Sequence, residues 1–168
     1  MSHVVDAGQG IARGLDHGKL VVLESTVYPG VVEEVLKPIL EQSGLIAGAD
    51  FGLAYCPERI NPGDPQHDIA DIVRVVGGIT PKWTAITARL YQSNAKEVVT
   101  VKNIKTAEAA KVIENIQRDL NIALMNELAL IFERMQIDIM DVIKAAATKW
   151  NFNVYYPCLL YTSDAADE

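Results

Sequence analysis

Cysteine and histidine are scarce: two cysteines (Cys56, Cys158) and three histidines (His3, His17, His67) stand in separate segments of 168 residues. That pattern gives neither a disulfide framework nor metal-ligand spacing, so no metal is expected. A reducing cytoplasm is the compartment it fits. Positive charge is also in deficit, with 15 Lys and Arg against 22 Asp and Glu and a formal net charge of -7. The cations are scattered among acids, so a phosphate backbone has no stripe to bind and nucleic acid is not an expected partner. No apolar run approaches the roughly 20 residues that span a bilayer, because Asn126 and Glu127 interrupt the greasiest stretch, and no segment reads as a signal peptide. No membrane partner is expected. What is present, 49% hydrophobic and 22% charged residues, is the ordinary balance of a packed globular protein.

Leu20-Val-Val-Leu23 is a short apolar run before a Ser-Thr and Pro-Gly cluster, and reads as a buried strand ending in a loop. Residues 31–42 show helical spacing (Val31, Val32, Val35, Leu36, Ile39, Leu40), broken only by Pro38. Residues 51–56 and 72–76 read as further strands, the latter ended by Gly77-Gly78. Residues 81–91 form a helix with proline in its first turn, and 98–101 a fourth strand. Strands alternating with helices imply a largely parallel sheet. From Thr106, an expected N-cap, to about Arg134 there is neither glycine nor proline, and apolar residues recur at helical spacing, which predicts a helix of roughly 40 Å. A second helix, about 139–147, follows.

The ends are unusual. Met1 leads into a helix-like segment, about residues 4–15, with no strand that could start a doubly wound fold. After Phe152 the helical period stops, and the stretch from Cys158 to Glu168 resembles translated sequencing-adapter read-through.

Gly8-Gln-Gly10-Ile-Ala-Arg-Gly14 superficially matches a dinucleotide fingerprint, but its third glycine is one position late and no strand precedes it; it reads as a small-residue helix face. Glu24-Ser-Thr-Val-Tyr-Pro-Gly30 sits at the carboxyl end of a strand and opens a helix, where open parallel sheets bind ligands. Pro57-Glu-Arg-Ile-Asn-Pro-Gly63 also follows a strand and presents a carboxylate and a guanidinium between prolines. A glutamate there can act as a general base beside an arginine that pairs with an anionic substrate; the plainer reading is a solvated loop with a local Glu58–Arg59 ion pair. Lys111 and Asn115 lie four apart and Arg118 continues their helix face, so the three could point into one cleft; the plainer reading pairs Lys111 with Glu108 or Glu114. Cys56 reads as a small core residue.

In that order, Glu24-Ser-Thr-Val-Tyr-Pro-Gly30, Pro57-Glu-Arg-Ile-Asn-Pro-Gly63, Lys111-Val-Ile-Glu-Asn115 with Arg118, and Asn121 to Glu127 resemble the UDP-glucose/GDP-mannose dehydrogenase family. The Pro57–Gly63 loop and Thr148-Lys-Trp-Asn-Phe152 look most like the branch that oxidises UDP-N-acetylhexosamines. The resemblance implies an alcohol at sugar carbon 6 oxidised twice, with two NAD reduced and a cysteine holding the intermediate as thiohemiacetal and then thioester. It also implies site residues. Thr26 falls at the threonine that positions a catalytic water, and Ser25, Thr26 and Val27 line the nicotinamide side. Glu58 falls at the glutamate serving thioester hydrolysis, Lys111 at the lysine that stabilises the oxyanion, and Asn115 at the asparagine near the same oxygen. Arg59, Ile60, Asn61 and Arg118 join Glu58, Lys111 and Asn115 on the substrate. The family's Gly-rich first turn and its Gly-Gly-His-Cys loop have no counterpart here, so Cys158 is not assigned the nucleophile's role.

The expected fold is α/β: the C-terminal half of a Rossmann-like parallel-sheet NAD-binding domain (1–103), then a long central helix and helical dimerisation region (104–152), then a non-native-looking tail (153–168). The chain is expected to be a fragment of a cytoplasmic UDP-sugar 6-dehydrogenase that forms a homodimer through its central helix and is inactive alone. The competing readings are a catalytically silent helical association module and a fragment of a related hydroxyacid or 6-phosphogluconate-type dehydrogenase.

Overall fold

The computed structural model describes residues 1–60 and 71–158. They divide into two compact units, Met1–Val112 and Ile113–Glu168. The first holds a four-stranded sheet in the order β1 (Leu20–Leu23), β2 (Gly52–Tyr55), β3 (Val73–Gly78), β4 (Glu97–Thr100). Helix α1 (Ser2–Ala12) precedes it, α2 (Lys37–Leu40) lies between β1 and β2, and α3 (Pro81–Tyr91) lies between β3 and β4.

Pairing is parallel for β1 with β2 and for β3 with β4, as the strand–helix alternation predicts. The exception is β2 with β3, which run antiparallel with Ala54 opposite Gly78 and Tyr55 opposite Gly77. The sequence pattern places Gly77-Gly78 beyond the end of that strand. They are instead its last paired residues, because only a bare backbone fits: a Cβ on Gly77 would stand 2.5 Å from the Asn103 carbonyl oxygen, and one on Gly78 2.5 Å from the Thr84 nitrogen. Thr80 caps α3 through its side-chain oxygen, which accepts from Trp83 N–H, and the Trp83 ring packs against Gly52, where a Cβ would meet it at 2.2 Å.

The helix expected over 31–42 forms in three windings: a π-helix at Val32–Leu36, then α2, then a 3-10 turn at Glu41–Ser43. Pro38 accounts for the change, since it has no N–H for the carbonyl four residues back and its ring crowds that carbonyl. The turn ahead of it widens so that Lys37 N–H reaches the Val32 carbonyl. Helix α1 packs against this segment through Gly8, whose absent side chain leaves room for Leu36 and Ile39. Of the glycines in that stretch Gly8 serves helix packing, whereas Gly14 lies beyond α1 with open space around it.

The main core gathers Val21, Val31, Val32, Leu36, Leu40, Phe51, Leu53 and Tyr55 with Ile104 and Ala107. The last two lie on α4 (Ile104–Arg134), which starts two residues before the expected Thr106. Asn103 is the cap: its side-chain oxygen accepts from the Thr106 N–H at 2.8 Å, the spacing of a cap to the third helical residue. The sequence reading divides the chain at 103/104, whereas the compact units divide inside α4, because its first turns are buried in the first unit's core. In the second unit α4 continues to Arg134, and α5 (Ile139–Ala146) follows, capped by Asp138. The Asn126 side chain brackets the backbone of Cys158, donating to its carbonyl at 3.1 Å and accepting from its N–H at 2.9 Å.

Candidate functional site

The 24–30 loop and the described start of the second loop that the sequence singles out, residues 57–60, lie side by side at the carboxyl edge of β1 and β2. The parallel ladder runs on into them: Cys56 N–H donates to Leu23 O at 3.0 Å and Glu58 N–H to Glu24 O at 3.1 Å. The fully buried Tyr55 donates its hydroxyl to Ser25 O at 3.2 Å, fixing the first loop from below the surface. Ser25 is exposed, Thr26 half-buried, and Val27 buried. Val27 belongs to the core through its side chain, so only its main chain faces outward chemistry.

The loop's exit is held from a distance. Glu108 on α4 has no exposed surface, and its carboxylate accepts from Gly30 N–H at 2.6 Å and Val32 N–H at 3.0 Å. A carboxylate at a helix start satisfies donors that have no partner within the helix and opposes the positive end of its dipole. Gly30 itself, at φ 109°, takes a left-handed conformation that a side chain resists. The sequence reading considered Glu108 as an ion-pair partner of Lys111; here one oxygen serves Gly30 at the end of the 24–30 loop and the other Val32 at the start of the winding that follows, three residues along α4 from Lys111.

Glu58 sits in a tight turn of its own making. Its Oε1 accepts from the N–H groups of Arg59 at 2.7 Å and Ile60 at 2.8 Å, and its Oε2 accepts from Arg74 Nη1 at 3.0 Å. The ion pair is thus made with Arg74 of β3, and the Arg59 guanidinium donates to Val73 O at 2.9 Å. The antiparallel register explains both contacts: carried on past Tyr55, it sets Glu58 opposite Arg74 and Arg59 opposite Val73. Burial pushes the Glu58 carboxyl up, but the Ile60 and Arg59 N–H groups and the Arg74 charge outweigh it, so the group stays below the usual glutamate range. Asn61 lies outside the described residues.

Behind Glu58 is a polar cluster, with Arg74, Tyr91 and Cys56 buried and Glu24 at its exposed end, that the sequence reading missed. Arg74 lies with its guanidinium 5.5 Å from the centroid of the Tyr91 ring, and the Tyr91 hydroxyl donates to Glu24 Oε1. Cys56 is enclosed beside them, and burial, only partly offset by Arg74, pushes its thiol up to about 11. One signal was available in the sequence: a lone arginine inside an apolar strand is seldom buried without a partner. Lys111, Asn115 and Arg118 follow one another along α4, with Arg118 donating to Asn115 Oδ1 at 3.2 Å. Among the described residues no group of three His, Cys, Asp or Glu could hold a metal ion, and no helix is long and apolar enough to cross a membrane.

The arrangement offers hydroxyls at Ser25 and Thr26 and an ionised carboxylate at Glu58 along one sheet edge, the edge at which open sheets bind ligands. Residues 1–95 match the NAD binding domain, and residues 105–162 the central domain, of the UDP-glucose/GDP-mannose dehydrogenase family. Over 166 residues the chain is 49% identical to the UDP-N-acetyl-D-glucosamine 6-dehydrogenase of Pseudomonas aeruginosa, an alignment covering 95% of this chain and 38% of that protein. It is 45% identical to the enzyme of that name from Salmonella typhi over 95% of this chain and 38% of the relative. Among solved structures, the UDP-D-ManNAc dehydrogenase of Pyrococcus horikoshii superposes with a TM-score of 0.87 at 35% identity, covering 93% of this chain and 37% of the other. The chain thus spans about 38% of the length of these curated relatives.

Proposed function

Because the chain belongs to the UDP-glucose/GDP-mannose dehydrogenase family, we propose that the whole protein oxidises carbon 6 of a UDP-N-acetylhexosamine to the uronic acid in two NAD-dependent steps. The observation that carries this reading is the lacing of the 24–30 loop to the loop bearing Glu58 at one sheet edge. NAD would accept hydride at this edge, with the Ser25 and Thr26 hydroxyls and the Val27 main chain beside its nicotinamide.

Thr26 orients a water through its hydroxyl. Glu58, ionised and held by three hydrogen bonds, draws a proton from that water as it attacks the thioester carbon, and the carbon–sulfur bond breaks to return the nucleophile's thiol and release the carboxylate product. The Lys111 ammonium offsets negative charge on the oxygen of the attacked carbon, and the Asn115 amide donates to the same oxygen. Arg59, Ile60, Asn61 and Arg118 contact the sugar nucleotide. Since the Glu58 carboxyl is depressed, it is a weak base that stays charged into the acid range, so the acid limb of the rate profile lies below the ordinary glutamate range.

The second unit supplies association. Ile113, Ile116, Leu120 and Leu124 are each more than half exposed and recur at helical spacing on α4, an apolar stripe suited to a second copy of the chain. A reaction drawing on NAD and a UDP-sugar belongs in the cytoplasm.

The test is NADH formation by the whole enzyme with UDP-N-acetylglucosamine, UDP-N-acetylgalactosamine and UDP-glucose. The expected result is two NADH per sugar for an acetylhexosamine, with turnover lost in Lys111→Met and Glu58→Gln. A folded, NAD-binding protein that turns over none of the three sinks the reading.

A further inference from the structure

Arg74 is an expensive residue where it stands. It is 4% exposed, its Nε has no hydrogen-bond partner among the described residues, and its Nη1 is bonded to Glu58. A buried cation with an orphaned N–H recovers little of its lost hydration, and apolar replacements at such sites are commonly neutral or stabilising. Fold stability alone therefore gives a poor reason for it. Its surroundings give a better one. One face rests on the Tyr91 ring, a favourable seat for a guanidinium. Tyr91 is in turn tied by its hydroxyl to Glu24, at the start of the loop that carries Ser25 and Thr26. The chain of contacts Glu24, Tyr91, Arg74, Glu58 thus spans the loop after β1, α3, β3 and the loop after β2, and ends on one oxygen of the only carboxylate in it whose other oxygen is also fixed by backbone N–H groups.

We propose that Arg74 is a positioning residue for Glu58: seated on Tyr91 and tied through it to Glu24, it fixes the Glu58 carboxylate in one rotamer beside the 24–30 loop. The inference rests on the reading of Glu58 as the group that activates water. It adds that the acid's orientation is set by a residue that touches neither substrate nor cofactor. Among the described residues, the groups facing Glu58 are Arg74 from β3, Cys56 just past β2, Glu24 just past β1, and the N–H groups of Arg59 and Ile60 from its own turn, with Tyr91 of α3 behind Arg74. Of these only Arg74 brings a positive charge to the carboxylate oxygen, and the bond it makes is the one a neutral residue cannot replace.

The experiment is a carboxyl-carbon NMR titration of Glu58 in the 168-residue chain, wild type beside Arg74→Gln, Arg74→Lys and Tyr91→Phe. In Arg74→Gln the midpoint is expected to move upward toward about 4.3, and Arg74→Lys, which keeps the charge, to restore most of the depression. In Tyr91→Phe, Glu24 loses its donor and competes for Arg74, so the midpoint moves the same way by less. Should Arg74→Gln fail to fold, Tyr91→Phe decides by the same readout. A Glu58 midpoint unchanged in every folded variant overturns the proposal. The titration needs no turnover, so it is separable from the functional reading: if Arg74→Gln raises the Glu58 midpoint but leaves the acid limb of the whole enzyme's rate profile in place, Arg74 stands as the positioning residue and Glu58 falls as the base.

Discussion

Glu108 shows how much one side chain can decide. It is fully buried, and its two oxygens satisfy Gly30 and Val32, 78 and 76 positions away in the chain. Glu108→Ala would strand both donors in the interior, and each orphaned group costs about 1–3 kcal/mol. A loss of roughly 3 kcal/mol or more is the expected outcome in urea unfolding, with Glu108→Gln intermediate because an amide oxygen still accepts one bond. Cys56 belongs to the same scale. Its thiol is buried and raised to about 11 from 9.0, so the folded state favours the neutral form. Stability from this group is complete below about 9 and lost as pH rises through about 11, a change on the order of 2 kcal/mol. A thiol reagent at neutral pH should accordingly titrate the exposed Cys158 in the native chain and reach Cys56 only on unfolding; rapid labelling of both would contradict the buried placement.

At the scale of elements, local chemistry sets most boundaries. Thr80 and Asp138 cap α3 and α5 where the sequence places those helices. The start of α4 is different: Thr106 is a competent cap by type, but Asn103 takes the position because Ile104 and Ala107 are needed in the core. Asn103→Ala should cost about 1 kcal/mol and fray the first turn of α4, which amide hydrogen exchange at Thr106 would report; Thr106→Ala, which leaves the backbone donor in place, should change it far less. The π winding ahead of Pro38 and the paired Gly77-Gly78 mark the same limit of periodicity. Both arise from what stands next to the backbone, an obstructing ring in one case and an approaching carbonyl in the other.

For the whole molecule, the consequential element is the length of α4 beyond the first unit. Its stripe of Ile113, Ile116, Leu120 and Leu124 is exposed, and the proposed homodimer would cover it. Leu120→Glu should then shift sedimentation of the protein toward monomer while its helical circular dichroism is retained. An unchanged sedimentation coefficient would remove the stripe from the dimer interface.

The strands, the helices and the order of the motif loops were legible in the sequence because each depends on near neighbours: alternating or helical apolar spacing, a cap, a proline. Ser25, Thr26, Glu58, Lys111, Asn115 and Arg118 are proposed as site residues from the order of their motifs. Tertiary structure alone decided the partners. The reversal of β3 against β2 sets Arg74 opposite Glu58 in place of the neighbouring Arg59. Tyr91 reaches Glu24 across 67 positions, and Glu108 reaches Gly30 across 78. No local period encodes such pairs, because a charge buried by distant segments finds its partner only once the sheet's register brings those segments together.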